Sequence, residues 1–449
     1  MPLTISRLPS TLAVAVLAAV LAAVVFASGL GARGPQTAVT VVRPAAAPPA
    51  PGVALALPAG IPTRQLVADY TAELRAAPRS PEAYTNLALA ELQQAREDGD
   101  PRWYTRADAL LRRALALDPT NFTALGGLGS LAASRHDFTA ARALGRRALA
   151  VDPGSTYALG VIVDADVELG RYRVARRSLE RMLNTRPDLS SYSRASYFLE
   201  LHGDVAGARR ALRDAIASGA PARENTAWAY LYLGNLDYNH GRYAAAAREY
   251  RMAGRAQPGF VHAEAAEAKL AAARGDLHRA IALYGDATRR LPLPAYVIAL
   301  GDVQAAAGRH PEARRTYGLV RAEEALYQAN GVNVDVELAL FDADHGEAAR
   351  GLRYARAAAA VQRSVVVEDA LGWALFKAGH ARAALVAADS ALRLGTKDAG
   401  FLFHRGAIEA ALGMRAAAAH DLARALAINP HFSVLYEPAA RRLLAEVSR

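Results

Sequence analysis

A 34-residue interval constrains this chain more than any other feature. Pro119, Pro153 and Pro187 are spaced by it, as are Pro258 and Pro292, Gly241 and Gly275, and Gly379 and Gly413. A fixed period of this size marks one supersecondary unit copied along the chain, with each copy packed on its neighbours. The clearest copy reads Tyr230-x2-Leu233-Gly234, then Gly241-x-Tyr243, Ala246-x3-Tyr250, Ala253 and Pro258. Two helices account for it. Gly234 lies inside the first and is small enough for a neighbouring helix to approach. Gly241 ends that helix, because glycine takes left-handed backbone angles without steric cost. Ala246 and Ala253 are seven residues apart, two turns along one face of the second helix. Pro258 stops the second helix, since it lacks an N–H and disfavours helix in the residue before it.

Other copies follow the same plan. They include Leu128-Gly129 with Ala141, Ala148 and Pro153; Gly170-x-Tyr172 with Ala175 and Pro187; Gly203 with Ala208, Leu212 and Ala215; and Gly275 with Ala280, Tyr284, Ala287 and Pro292. Further on come Gly301, Gly308, Ala313 and Tyr317, then Leu371-Gly372, Gly379, Ala384 and Ala391, then Gly406, Gly413, Ala418, Leu422, Ala425 and Pro430. Two places break step. Residues 96–101 add length to the first unit, and Gly308 to Gly346 is 38 residues. The pattern resembles the tetratricopeptide repeat, W-x2-L-G-x2-Y, A-x3-F, P, with Tyr230 in place of the Trp and Asp237 in place of the later Tyr. The resemblance covers nearly all the chain beyond its N-terminal segment. It implies an all-α fold, a right-handed α-α superhelix of about ten to eleven helix pairs over 63–434, with a capping helix over 435–449. It also implies an interaction scaffold that grips a protein or peptide on its concave face, with first helices lining that face and second helices forming the outer wall.

The N-terminus has its own reading. Arg7 precedes an apolar run from Leu12 to Phe26, 15 residues long. As a helix it would span ~22 Å, short of the roughly 30 Å hydrocarbon core. Val25-Phe26-Ala27 presents small residues where a signal peptidase would cut. Residues 1–27 therefore read as a secretory signal peptide, the alternative being an uncleaved anchor extended to Leu30. Residues 28–62 read as a Pro/Ala-rich linker. Thr63 reads as the cap of a first helix bearing Leu66, Tyr70 and Leu74 on one face. The expectation is an exported protein: secreted, periplasmic or tethered to the outer face of the cytoplasmic membrane. The chain has no Cys, which excludes disulfides, thiolate metal sites and a lipoprotein anchor.

Enzyme motifs are not found, and neither catalytic residues nor a cofactor are expected. Gly126-Gly127-Leu128-Gly129-Ser130 is glycine-rich, but no Lys follows to meet a phosphate, and it falls where repeat helices need small residues. Asp342, Asp344, His345 and Glu347 form the densest polar cluster and carry the alternative function, a metal-binding or hydrolytic repeat protein. The bland reading makes Gly346 a turn glycine and the cluster the solvated end of a first helix. Other histidines, His136, His202, His240, His310 and His380, fall at or beside turns, with His136 in the place of a turn glycine. Val332-Asn-Val-Asp-Val336 alternates like a strand, but sits where a helical unit should begin.

The formal charge is +10, and Lys occurs only at 269, 377 and 397. Arg pairs at 112–113, 146–147, 176–177, 209–210, 289–290 and 314–315 fall on second helices. They would make a basic outer ridge able to meet an anionic envelope surface. Export argues against nucleic acid as a partner. By the resemblance, Tyr157, Tyr197, Trp228, Tyr238, Trp373, Phe376 and Phe403 lie on first helices and are expected to point towards the groove. Asn235 and Asn239, four apart, are expected to join them in gripping a peptide backbone.

Overall fold

The computed structural model describes residues 61–219 and 223–449, all helix and connection with no strand. The expected signal peptide and nearly all of the expected linker lie outside these residues. The described residues start with α1 (Thr63–Ala76) and continue as pairs. These are α2 and α3 (Pro81–Asp98, Arg102–Leu117), α4 and α5 (Phe122–Ser134, Phe138–Val151), α6 and α7 (Thr156–Glu168, Tyr172–Thr185), α8 and α9 (Leu189–Leu201, Val205–Ala217), and α10 and α11 (Arg223–Asn239, Tyr243–Ala256). Then come α12 and α13 (Val261–Ala273, Leu277–Arg290), α14 and α15 (Pro294–Ala306, His310–Ala329), α16 and α17 (Asp335–His345, Ala348–Val361), α18 and α19 (Val365–Lys377, Ala381–Ala391), and α20 and α21 (Ala399–Ala411, Arg415–Ile428). A last helix, α22 (Tyr436–Val447), closes the array.

Local chemistry fixes each pair. The glycines at 170, 203, 241, 275, 308, 379 and 413 all have positive φ and break a first helix. His136 takes the same conformation, φ 59°, as its place in the repeat requires. An Asp often follows and caps the second helix: Asp137 accepts from the Ala140 amide, Asp204 from Gly207, and Asp276 from Arg279. Gly234 is the close-approach glycine, since a Cβ there would overlap the Tyr250 ring of the paired helix.

Two local expectations are corrected, and one irregularity is accounted for. Thr63 is the first residue of α1, preceded by Pro62 at the cap position, and its hydroxyl donates to Glu97. Gly346 ends α16 with φ −120°, so it is no left-handed turn glycine. The 38-residue interval is taken up by α15, which runs 20 residues where its counterparts α11 and α13 run 14.

The array is wound so tightly that its second turn rests on its first. The Asn333 amide donates to the Arg135 carbonyl at 3.1 Å, and the Arg363 amide to the Glu168 carbonyl at 3.0 Å. Tyr172 Oη accepts from the Val365 amide at 2.9 Å. Thr396 Oγ1 donates to the Leu201 carbonyl at 2.6 Å, and Asn429 Nδ2 to the Tyr238 carbonyl at 2.9 Å. His136 Nδ1 lies 2.6 Å from the Asn333 carbonyl. The side-chain contacts along this seam join residues 191 to 197 apart, between five and six repeat lengths. Along the seam, ends of first helices in one turn meet connections between pairs in the next.

Candidate protein-binding surface

First helices line the inside of the superhelix, and in the first turn their side chains reach one another across it. Glu224 on α10 accepts from Arg96 Nη2 at 2.7 Å and from Gln93 Nε2 at 2.5 Å, both on α2. Three helix pairs separate α2 from α10 in sequence, so this contact bridges the concave face. On the same wall Arg194 of α8 binds Asp164 of α6 through Nε and Nη2, at 2.9 and 2.7 Å. Burial pushes the Asp164 carboxyl up to about 6, against the lowering effect of Arg194.

Four inner residues repeat at the 34-residue interval: Arg194, Trp228, His262 and Tyr296. They form a ladder on successive first helices. Trp228 and His262 have ring centroids 4.4 Å apart, and His262 Nδ1 lies 2.5 Å from the Tyr296 hydroxyl. Burial lowers the His262 pKa to about 4, so the imidazole is neutral. Phe260 stacks edge-on to Trp228 at 5.3 Å. All four ladder residues are half-buried. Phe260, His262 and Tyr296 escaped the sequence reading, although counting 34 on from Trp228 reaches His262 and then Tyr296.

The expected groove residues divide into two sets. Trp228 is half-buried, and its Nε1 donates to Glu224 at 3.0 Å. Tyr157 is half-buried, with its hydroxyl 2.5 Å from Ser130 Oγ, and burial raises its pKa to about 12. Tyr197 is half-buried and donates to Glu168 at 3.3 Å. These three belong to the inner wall of the first turn. Asn235 accepts from Tyr250 of its own pair at 2.9 Å. Asn239 sits beside Glu200 of α8 and lowers its pKa against the larger effect of burial. The two asparagines thus serve contacts within the array.

Tyr238, Trp373 and Phe403 do not face an open groove. They are 3%, 3% and 1% exposed. Tyr238 reaches across the seam to the His431 carbonyl at 3.2 Å. In the second turn Tyr436, the first residue of α22, covers the Trp373 and Phe403 rings. Tyr436 packs on Phe403 at 4.7 Å and Trp373 at 5.7 Å between centroids, and donates to Asp344 at 2.8 Å. Phe376, half-buried, leans on Trp373 at 5.4 Å.

The acidic cluster is dispersed. Asp342 turns outward to Arg350, at 2.9 Å, and to Arg321. Asp344 turns inward to Trp373 Nε1 at 2.9 Å and to Tyr436. His345 lies 3.0 Å from Asp302. Burial lowers the His345 pKa, but the Asp302 and Asp344 charges outweigh it and raise the group overall. Asp342 and Asp344 are buried and His345 is half-buried, while Glu347 is exposed beside Arg350; the four do not converge, because adjacent helix positions point to different sides. Among the described residues no group of three or more His, Asp or Glu is placed to hold a metal ion. The Arg pairs do sit on second helices, and Arg113, Arg146, Arg147, Arg177, Arg210, Arg314 and Arg315 are exposed there.

The family comparison agrees with the repeat reading. A tetratricopeptide-repeat model matches residues 102–156 and 265–326. No curated protein matches the chain. Among solved structures, similarity extends to the APC/C hetero-tetramer Cut9-Hcn1, at 15% identity and TM-score 0.36 over 86% of this chain and 93% of that one. PilF of Pseudomonas aeruginosa matches at 19% and 0.34, over 48% of this chain and 94% of its own. A tetratricopeptide repeat protein from Parabacteroides merdae matches at 16% and 0.34, over 58% and 99%. Identities this low leave function to be argued from the chain's own residues.

Proposed function

Because the chain is a tetratricopeptide-repeat protein, we propose that it is an exported, non-enzymatic scaffold that holds a protein or peptide partner on the inner wall of its first superhelical turn. The observation that carries this reading is the contrast between the two turns. In the second, Tyr436 at the start of α22 already covers Trp373 and Phe403. In the first, Tyr157, Trp228, His262 and Tyr296 remain half-buried, beside the Arg96–Glu224 and Arg194–Asp164 pairs. Aromatic rings on a wall supply large contact area for little lost side-chain freedom, and polar neighbours fix a peptide backbone. Export rests on Arg7, the apolar run and the small residues at Val25 and Ala27. The exposed arginines of the second helices suit an anionic envelope surface as a secondary contact.

Affinity capture from an envelope fraction tests the binding surface, with Trp228→Ala and Trp373→Ala compared against the unaltered chain. Trp228→Ala should lose the captured partner while keeping a folded array. Trp373→Ala should lower the melting temperature and leave capture by the folded fraction intact. Equal capture by the Trp228→Ala protein would overturn the assignment. N-terminal sequencing tests export: mature protein should begin near Ser28, and an intact Met1 in a soluble cytoplasmic fraction would contradict it.

A further inference from the structure

The seam between the two turns holds an open cleft of roughly 430 Å³. Its floor is the start of α9, and its sides come from both turns. Arg209, His240 and Arg242 belong to the first turn, and Lys397 to the second. Thr396 donates to the Leu201 carbonyl at 2.6 Å, which sets the next residue, Lys397, over the cleft. The site is therefore complete only when the turns are stacked.

Its charges are unbalanced. Arg209 and Arg242 both lean on one carboxylate, Asp237, with Arg242 at 3.2 Å. Lys397 is exposed and makes no ion pair or hydrogen bond among the described residues. Asp204 also lines the cleft, but its carboxylate accepts from the Gly207 amide as the cap of α9. Two buried nitrogens lack a partner: Arg209 Nε and His240 Nε2. Burial, helped by the Arg209 and Lys397 charges, holds the His240 pKa below its ordinary value, against the Leu236 carbonyl and the Asp237 charge. Val205 and Ala206 line the cleft at the first two positions of α9, where helix amides have no intrahelical acceptor. Guanidinium groups, an ammonium group and helix-start amides together are the donor set that oxyanions take.

We propose that this cleft binds a phosphate-class oxyanion, held between Lys397 of the second turn and Arg209 and Arg242 of the first. The bound anion adds a charged clamp to the seam. A ligand that binds only the stacked state stabilises that state by mass action. Occupancy would therefore tighten the superhelix, and its loss would ease the two turns apart.

Calorimetric titration of inorganic phosphate into the full chain, at constant ionic strength in chloride, reads the site directly. The unaltered protein should bind phosphate, and its melting temperature should rise with phosphate above the chloride control. Lys397→Gln should weaken binding about tenfold or more, the loss of one charge-assisted contact, and should abolish the phosphate-dependent rise. Lys397→Arg should keep both. Arg289→Gln, on a remote exposed surface, should change neither. Flotation with phosphatidylglycerol against phosphatidylcholine vesicles assigns the source. Lys397-dependent flotation makes the anion a lipid headgroup, and phosphate binding without flotation makes it a free ion. Equal phosphate affinity in the unaltered and Lys397→Gln proteins, or no phosphate effect on the unaltered protein, would overturn the proposal.

Discussion

The two helices of each pair live in different solvents. In α6 every residue from Ala158 to Glu168 is buried, whereas its partner α7 buries only Tyr172, Ala175, Leu179 and Met182. An inner helix is covered by its own partner, by the inner helices on either side, and by side chains that reach across the superhelix. An outer helix is covered on one side only and keeps a single apolar stripe at helical spacing. Inner positions therefore tolerate little change in volume, while outer positions tolerate charge, exposure and variation. Polar groups that turn inward must also find partners there, which is why carboxylates and arginines pair inside this wall.

Volume changes test this contrast most strongly. Leu159 on inner α6 is fully buried. Leu159→Ala should cost about 2–5 kcal/mol in urea unfolding. Arg147→Ala, on an exposed outer position, should stay within about 0.5 kcal/mol. Similar costs for the two would remove the distinction. Glycines sharpen it further. A Cβ at Gly301 on α14 would overlap the Tyr317 ring, which Asp302 holds by a 2.8 Å hydrogen bond. Gly301→Ala should therefore cost about 1–3 kcal/mol. At Gly254 on outer α11 a Cβ meets nothing within 4 Å, so Gly254→Ala should raise stability by about 0.5–1 kcal/mol. The same substitution should thus change sign between inner and outer helices.

A smaller effect is set by pH. Burial pushes Glu168 up to about 7 from an ordinary 4.5, against the lowering hydrogen bonds of Ser364 and Tyr197. A carboxyl raised on folding holds its proton longer in the folded state. Its contribution is fully present below pH 4.5 and is lost as pH rises through 7. Glu200 acts in the same direction, also reaching about 7 by burial. His262, lowered to about 4, opposes them only below pH 6.5. Between pH 6.5 and 8 stability should fall, and Glu168→Gln should remove about 1 kcal/mol of that fall. An unchanged slope in the variant would mean that Glu168 is ionised in the fold.

The outer wall was legible in the sequence and the inner wall was not, for the same physical reason. Turn glycines such as Gly241 and stripe alanines such as Ala246 and Ala253 obey one-residue rules of backbone angle and helical spacing. They gave the pairs, their order and the place of His136. Which way an inner aromatic faces depends on what returns to cover it. Trp373 and Phe403 hold first-helix positions that would be open in a loosely wound array, but α22 folds back onto them through Tyr436. Tyr238 is sealed by the second turn through His431, 193 residues away. Spacing within a unit carries no record of contacts at that range. Spacing between units did hold the inner ladder, since 34 residues link Trp228 to His262 and His262 to Tyr296.

The contact of the two turns underlies the burial of Tyr238 and the cleft at Lys397. Amide hydrogen exchange at Asn333 and Arg363 tests that contact most directly. Both amides lie in connections between helix pairs, and their acceptors are the carbonyls of Arg135 and Glu168 in the preceding turn. Stacked turns predict that both exchange slowly, with protection close to that of helical amides such as Ala148 and Met182. Exchange of Asn333 and Arg363 at free-loop rates, with Ala148 and Met182 still protected, would show an open superhelix and contradict the account.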